Sequence, residues 1–173
     1  MMTRRTLLGA AILVPFEGLA QTCGKLTGPQ TEGPFFKTKS PPRISLLEKG
    51  ARSRLIVTGT VLSAQCKPVA GALLDFWHSD EEGAYDNRGF RYRGHQFADA
   101  QGRYRLETIV PALYPGRTRH IHVKVQAPGR RVLTTQLYFA DEAGNARDGL
   151  FEPGLVMRMP KPGEGQFDFV VEA

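Results

Sequence analysis

Six short strand-like segments, separated by turn-forming residues, constrain the fold of this chain more than any other feature. The segments lie at residues 55–62, 72–77, 102–109, 120–126, 133–139 and 167–171. Several are followed by turn sequences rich in Pro, Gly, Asp and Asn, at residues 67–68, 99–102, 127–129 and 141–145. No stretch combines a helical period with capping residues. The pattern predicts an all-β fold, an antiparallel β-sandwich.

The 173 residues have room for one domain with a sizeable core, and no internal repeat or linker divides the chain. We expect residues 21–50, which are rich in Pro, Gly and Thr, to form an irregular N-terminal arm and residues 51–173 to form the sandwich. The polar segments at 80–87, 91–96 and 111–116 are predicted as loops. The net charge of +6 is scattered along the chain, which favours solubility over nucleic-acid binding.

The first twenty residues have the composition of an export signal. Arg4 and Arg5 precede an apolar run over residues 7–16, and residues 18–20 form a small-residue cleavage pattern. The adjacent arginines favour a twin-arginine signal, which would place the protein in the periplasm or outside the cell. An ordinary secretory signal and a buried N-terminal helix are the alternatives. The apolar run is shorter than the roughly 20 residues that span a bilayer, so no membrane span is expected.

Cys23 and Cys66 are the two cysteines of the chain. In an oxidising compartment, two cysteines readily form a disulfide. A Cys23–Cys66 bridge would tie the arm to the sandwich and stabilise the fold by roughly 3–4 kcal/mol. A lipid-modified Cys23 and two free thiols are the alternatives.

His120 and His122 form a His-x-His pattern inside a strand-like segment. Side chains two residues apart on a strand lie on the same face, so the two imidazoles form half of a candidate metal site. A solvated strand face is the alternative. Tyr85 and Tyr114 lie on predicted loops, and a tyrosinate is a hard, anionic ligand that favours Fe(III). Its proton is normally lost only near pH ~10, so the metal must drive the ionisation.

Several short motifs occur together in one order. They are the arm sequence at 26–35, the segments at 59–61, 66–72 and 75–77, the eight-residue step from Trp77 to Tyr85, the segments at 99–104 and 108–111, and the run from Tyr114 to residue 139. In this order, they resemble the intradiol ring-cleavage dioxygenases, the catechol and protocatechuate 3,4-dioxygenase family. The resemblance covers most of residues 23–140.

The resemblance implies one non-haem Fe(III) per chain. Its ligands would be Tyr85, Tyr114, His120 and His122. Arg117 would stabilise negative charge on the substrate ring, Tyr114 would also accept a substrate proton, and Gln136 would lie on the O2-facing side. The pocket walls would include Gly33, Pro34 and Trp77. The remaining tyrosines, Tyr92, Tyr104 and Tyr138, are assigned to packing, and His78 and His95 match no ligand position.

The implied reaction inserts both atoms of O2 into a catechol-type aromatic diol and cleaves the ring between the two hydroxyl-bearing carbons, giving a muconate-type diacid. The partners would be this small diol and O2; whether the chain forms a homo-oligomer is left open. Gly116 stands where protocatechuate enzymes often carry a large aromatic, and the chain resembles the small, exported members of the family. The alternatives are another His-x-His metalloenzyme and a non-catalytic secreted β-sandwich that binds a ligand.

Overall fold

Nine strands form two β-sheets in the computed structural model, which describes residues 24–173. They are β1 (Leu55–Ser63), β2 (Leu73–Trp77), β3 (Arg93–Phe97), β4 (Arg103–Thr108), β5 (His120–Gln126), β6 (Leu133–Tyr138), β7 (Arg158–Lys161), β8 (Glu164–Gln166) and β9 (Phe169–Val171). Two short 3-10 helices, Asn145–Arg147 and Pro153–Leu155, lie between β6 and β7.

The two sheets differ in their strand directions. One sheet has the order β3-β2-β5-β6 and is antiparallel throughout. The other has the order β4-β1-β8-β7, and β9 also pairs with β1; the pairs that β1 makes with β8 and β9 are parallel. The predicted β-sandwich is therefore confirmed, with one sheet mixed where the sequence predicted antiparallel pairing.

Alternation along β5 separates the core from the candidate site. Ile121, Val123 and Val125 are fully buried and belong to the hydrophobic cluster that also contains Val57 and Leu106 of the other sheet. Burial of such side chains is the main stabilising term of a fold. Because successive side chains of a strand point to opposite faces, the histidines of β5 lie on the outer face of the sheet.

The N-terminal arm covers this outer face. Residues 24–50 form no strand and cross the sheet instead. On β6, Thr134 O accepts a hydrogen bond from Gln30 N at 2.8 Å, and on β5, His122 lies against Gly33. On β2, the Trp77 ring is 4.9 Å from the Phe36 ring, and on β3, His95 O accepts from Arg43 N at 2.9 Å. The arm is thus the layer that buries the outer face.

The prediction of a loop at residues 91–96 is wrong, because Arg93–Phe97 forms β3 and pairs with β2. Its sequence, RGHQF, is polar and contains a glycine, so its pattern did not indicate a strand. The strand is stable in this position because the arm covers its outer side. Strands β7 and β8 were likewise not predicted.

Two other predictions concern the N-terminal region. Cys66 is disulfide-bonded, but its predicted partner Cys23 and the predicted signal peptide at residues 1–20 lie outside the described residues. The pairing of Cys66 with Cys23 and the domain boundaries therefore stay predictions. In the part of the chain that is described, no helix is both long and apolar enough to cross a membrane.

Candidate metal-binding active site

The two histidines of β5 direct nitrogen atoms at a common point. Their Nε2 atoms are 3.1 Å apart, and the residues are only 4% and 3% exposed. Two imidazole nitrogens bound at a right angle to one metal ion at about 2.1 Å would be about 3.0 Å apart. The spacing between His120 and His122 therefore fits two adjacent positions around one ion.

Hydrogen bonding determines which nitrogens are free to bind. The Nδ1–H of His120 donates to the backbone oxygen of Thr118 at 2.7 Å, so its Nε2 carries the lone pair. The Nδ1 atom of His122 is buried and has no hydrogen-bond partner in the described part of the chain. A cation at the Nε2 atoms would favour the same tautomer in both rings, with the lone pairs directed at the ion.

Oxygen donors complete the cluster. The Tyr85 hydroxyl is 3.2 Å from His120 Nε2, and the Tyr114 ring packs edge-on against the Tyr85 ring with centroids 5.7 Å apart. Phe35 of the arm stacks on Tyr85 at 4.3 Å and contacts Tyr114 edge-on at 5.3 Å. In residues 24–173, no group of three or more His, Cys, Asp or Glu side chains could hold a metal ion. The phenols are therefore the donors available to join the two imidazoles.

Burial keeps His120, His122 and Tyr85 neutral unless a cation is present. It lowers the pKa of His120 to about 4, although the bond to Thr118 opposes the shift, and it lowers the pKa of His122 well below its usual range. Burial also raises the pKa of Tyr85, against the attraction of the Arg117 and Arg93 charges. Neutral imidazoles are ready to bind a metal, whereas the phenol needs the charge of an ion to lose its proton.

Two glycines with positive φ shape the loops around this cluster. Gly83 has φ +83°, and a Cβ there would lie 2.3 Å from the backbone oxygen of Leu113. The loop that carries Tyr85 therefore meets the loop that carries Tyr114 only because residue 83 has no side chain. Gly116, with φ +80°, lies in a turn closed by a hydrogen bond from Arg117 N to Tyr114 O at 2.9 Å.

Arg117 is held by a carboxylate that sequence reasoning missed. Its Nε donates to both oxygens of Asp148, at 3.1 and 2.9 Å, and one Nη donates to the Gln136 side chain at 2.7 Å. Asp148 also accepts from the backbone N–H of Thr118 at 2.8 Å. Burial opposes ionisation of Asp148, but the backbone N–H donors of Leu150 and Thr118 and the Arg117 charge lower its pKa. Asp148 thereby fixes both Arg117 and the start of β5.

Gln136 and Tyr138 extend this network to the arm. Gln136 is fully buried, and its amide donates to the backbone oxygen of Thr31 at 3.0 Å. The Tyr138 hydroxyl donates to the backbone oxygen of Leu150 at 2.7 Å and lies 3.0 Å from the Gln136 amide oxygen. Tyr138, assigned to packing from the sequence, is thus also a hydrogen-bonding member of the site.

Of the predicted pocket walls, two contact the histidines. The Trp77 ring stacks on the His122 ring with centroids 4.8 Å apart, and Gly33, with φ +69°, lies against His122. Pro34 is exposed on the arm. The other histidines do not join the cluster: His78 is buried against Thr108 and Ser79, where burial lowers its pKa to about 4, and His95 contacts Ser40.

One cavity borders the Tyr85 loop and another borders the start of the arm, and the imidazoles line neither. A cavity of about 290 Å³ is bordered by Tyr85 together with Asp80, Asp86, Arg91 and Tyr92. A larger one, of about 650 Å³, lies between arm residues 25–30 and the C-terminal strands. The histidines are closed off by the arm.

Comparison with known proteins identifies the family of the chain. A family model described as Dioxygenase matches residues 32–152. A chlorocatechol 1,2-dioxygenase from Pseudomonas sp. strain P51 is 33% identical over 83% of this chain and 70% of its own length. A catechol 1,2-dioxygenase from Acinetobacter baylyi is 30% identical over 64% of this chain and 45% of its own length. The chain therefore belongs to the intradiol ring-cleavage dioxygenase family and spans less than half of some relatives.

Solved structures show the same fold. The dioxygenase domain of a dioxygenase–carbohydrate-binding fusion from Streptomyces sp. SirexAA-E is 57% identical, has a TM-score of 0.82 and covers 86% of this chain and 99% of that chain. A hydroxyquinol 1,2-dioxygenase from Pseudomonas putida is 28% identical, with a TM-score of 0.78, and covers 86% of this chain and 67% of that chain.

Replacing Gly83 should separate the two tyrosine loops. In Gly83→Ala, the new methyl group would meet the Leu113 carbonyl, and we expect a loss of about 1–3 kcal/mol of unfolding free energy beyond the cost of the backbone conformation. Gly50→Ala is the matched control, because Gly50 has a similar φ of +86° but open space around it. Chemical denaturation of both variants measures the difference; equal losses would contradict the close approach.

Removing the Asp148 charge should release Arg117. Asp148→Asn loses a buried ionic partner, and we expect roughly 3 kcal/mol less unfolding free energy and a lower kcat/KM. Asp141→Asn is the control, because Asp141 is exposed and asparagine tolerates its positive φ. Denaturation and steady-state kinetics check both expectations. An Asp148→Asn protein with unchanged kcat/KM would show that Arg117 needs no anchor.

Proposed function

We propose that this protein is a non-haem Fe(III)-dependent intradiol dioxygenase that cleaves a catechol-type ring between its hydroxyl-bearing carbons. The observation that carries the proposal is that His120 Nε2 lies 3.1 Å from His122 Nε2 and 3.2 Å from the Tyr85 hydroxyl, with the Tyr114 ring packed against the Tyr85 ring. Family membership supports the reaction class.

The donor set favours ferric iron over other metals. Two neutral imidazoles and two phenols would supply two nitrogen atoms and two anionic oxygens, and hard anionic oxygen donors are best matched by a trivalent ion. Because burial raises the pKa of Tyr85, its ionisation depends on a strongly charged ion close by. Tyr85, Tyr114, His120 and His122 would hold one Fe(III) per chain.

When bound, Fe(III) would act as a Lewis acid that holds the diol as a dianion and makes its ring reactive toward O2. The diol would lose two protons, and we propose that the Tyr114 phenolate would take one of them and solvent the other. Tyr114 is suited to this role because it is less buried than the histidines and lies at a turn.

Arg117 supplies fixed positive charge beside the ring. Asp148 holds its Nε, and Gln136 and Tyr138 hold one Nη, which leaves the other Nη without a partner among residues 24–173. A preorganised donor of this kind stabilises negative charge that develops on a substrate. Gln136 keeps Arg117 and the arm in place, while Trp77 and Gly33 keep water away from His122.

The proposed substrate class is a small aromatic 1,2-diol, used together with O2. The relatives' names include chlorocatechol, catechol and hydroxyquinol 1,2-dioxygenases, which share this diol and differ in ring substituents. Apart from its chain neighbours, nothing lies within 4 Å of the place where a Gly116 side chain would begin, so a substituent directed there would have room.

The colour of the iron-loaded protein tests the proposal. Tyrosinate bound to Fe(III) absorbs visible light by charge transfer, so the protein should be red to burgundy, and Tyr85→Phe or Tyr114→Phe should shift or bleach the band. Tyr92→Phe is the control, because the Tyr92 hydroxyl donates to Glu81 outside the cluster. O2 uptake with a panel of catechols should yield products cleaved between the hydroxyls.

A colourless wild-type protein with full iron occupancy would rule out tyrosinate ligation. Products cleaved outside the diol would rule out the intradiol assignment, even if the protein is coloured. Iron content is measured alongside both experiments so that a variant that merely loses the metal is recognised.

We also propose that the protein is exported by the twin-arginine route, on the basis of Arg4 and Arg5 before the apolar run at residues 7–16. Changing both residues to lysine should retain the full-length chain in the cytoplasm of a bacterial host that has this export system. Cell fractionation measures the distribution; undiminished export of the double variant would favour an ordinary secretory signal.

A further inference from the structure

Arg93 is a buried cation that the mechanism above does not use. It lies at the start of β3 and is only 2% exposed. Its Nε donates to the backbone oxygen of Asp86 at 3.1 Å, and Nη1 donates to the backbone oxygen of Phe35 at 2.5 Å. The remaining nitrogen, Nη2, is buried without a hydrogen-bond partner in residues 24–173.

These two carbonyl groups belong to segments that are distant in sequence. Asp86 directly follows Tyr85, and Phe35 is the arm residue whose ring stacks on the Tyr85 ring and meets the Tyr114 ring edge-on. The guanidinium of Arg93 therefore joins the arm to the tyrosine loop, directly beside the aromatic stack. A planar fork with donors in fixed directions suits this arrangement, whereas a lysine offers one compact ammonium group.

The burial of Arg93 is costly, which indicates that the arrangement is specific. A charged side chain is rarely fully buried unless it is paired. No carboxylate forms an ion pair with Arg93 in the described part of the chain, and backbone carbonyls take its hydrogen bonds instead. A packing role alone would be met by an apolar side chain without this cost.

We propose that Arg93 is a positioning residue of the active site: it fixes Phe35 of the arm to the Tyr85 loop and so sets the orientation of the Tyr85 phenol. Phe35 acts with it, because its ring transmits the position of the arm to both tyrosine rings. The link to Tyr85 as a ligand rests on the proposed function, whereas the tie between the arm and the loop does not.

The first test measures the arm in the metal-free protein by hydrogen exchange. The arm has hydrogen-bonded amides to follow: Gln30 N–H, which donates to Thr134 O, and the more exposed Gly33 N–H, which donates to Thr31 Oγ1. Loss of one hydrogen bond from a charged donor corresponds to about tenfold in an opening equilibrium. Arg93→Lys should therefore speed exchange in residues 30–37 by about tenfold, with no change in β1 and β5.

The second test measures the visible absorption maximum of the iron-loaded protein. Arg93→Lys should shift the maximum, because the Tyr85 phenol changes orientation while the charge at residue 93 is kept. Arg91→Lys is the matched control: Arg91 is exposed, two residues away, and its ion pairs with Asp80 and Glu81 suit a lysine. It should match the wild type in both measurements.

If Arg93→Lys does not fold, Phe35→Leu tests the same positioning of Tyr85. This variant keeps the backbone carbonyl that Arg93 binds and removes the ring that stacks on Tyr85. It should shift the absorption maximum and leave arm exchange within about twofold of wild type. An unchanged maximum in the variant that folds overturns the proposal. The proposal is also overturned if amide exchange in the arm of Arg93→Lys is as slow as in the wild type, or if exchange rises by the same factor in all strands. A colourless iron-loaded wild type instead overturns the proposed function. The exchange result would still show whether Arg93 joins the arm to the Tyr85 loop.

Discussion

The structure depends on the placement of two neutral imidazoles, with their Nε2 atoms 3.1 Å apart, on a buried sheet face. Burial disfavours the charged form of each ring, and the bond from His120 to Thr118 fixes one tautomer. The two Nε2 atoms can be paired either by a single hydrogen bond between the rings or by a cation that both of them bind. The neighbouring phenols, the Arg117 network and the closed arm are consistent with the second arrangement.

The arm buries a sheet face that would otherwise be exposed to solvent. The outward side of β3, β2, β5 and β6 carries imidazole, indole, guanidinium and amide groups, which would otherwise face water. The arm crosses all four strands and is held by hydrogen bonds from Gln136 and Arg93 to its backbone. Both bonds are donated by buried side chains, so the polar groups of the face and the backbone of the arm satisfy one another.

Much of the candidate site could be predicted because its residue types are chemically distinctive and occur in a recognisable order. The His-x-His pattern indicated a shared face, and the structure places the Tyr85 hydroxyl beside His120 and the Tyr114 ring against the Tyr85 ring. Asp148 and Arg93 were missed because neither lies in a pattern with its partners: Asp148 meets Arg117 across 31 residues, and Arg93 meets Phe35 across 58. Strand β3 was missed for a related reason, since the cover that buries its polar side comes from the distant arm.

The central claim is that His120, His122, Tyr85 and Tyr114 together hold one ferric ion. The most direct measurement is a crystal structure of the iron-loaded protein with anomalous diffraction data collected at the iron absorption edge. The account predicts one anomalous peak per chain, within bonding distance of both Nε2 atoms and both phenol oxygens. A peak elsewhere, or a site in which the two imidazoles are hydrogen-bonded to each other with no metal between them, would contradict it.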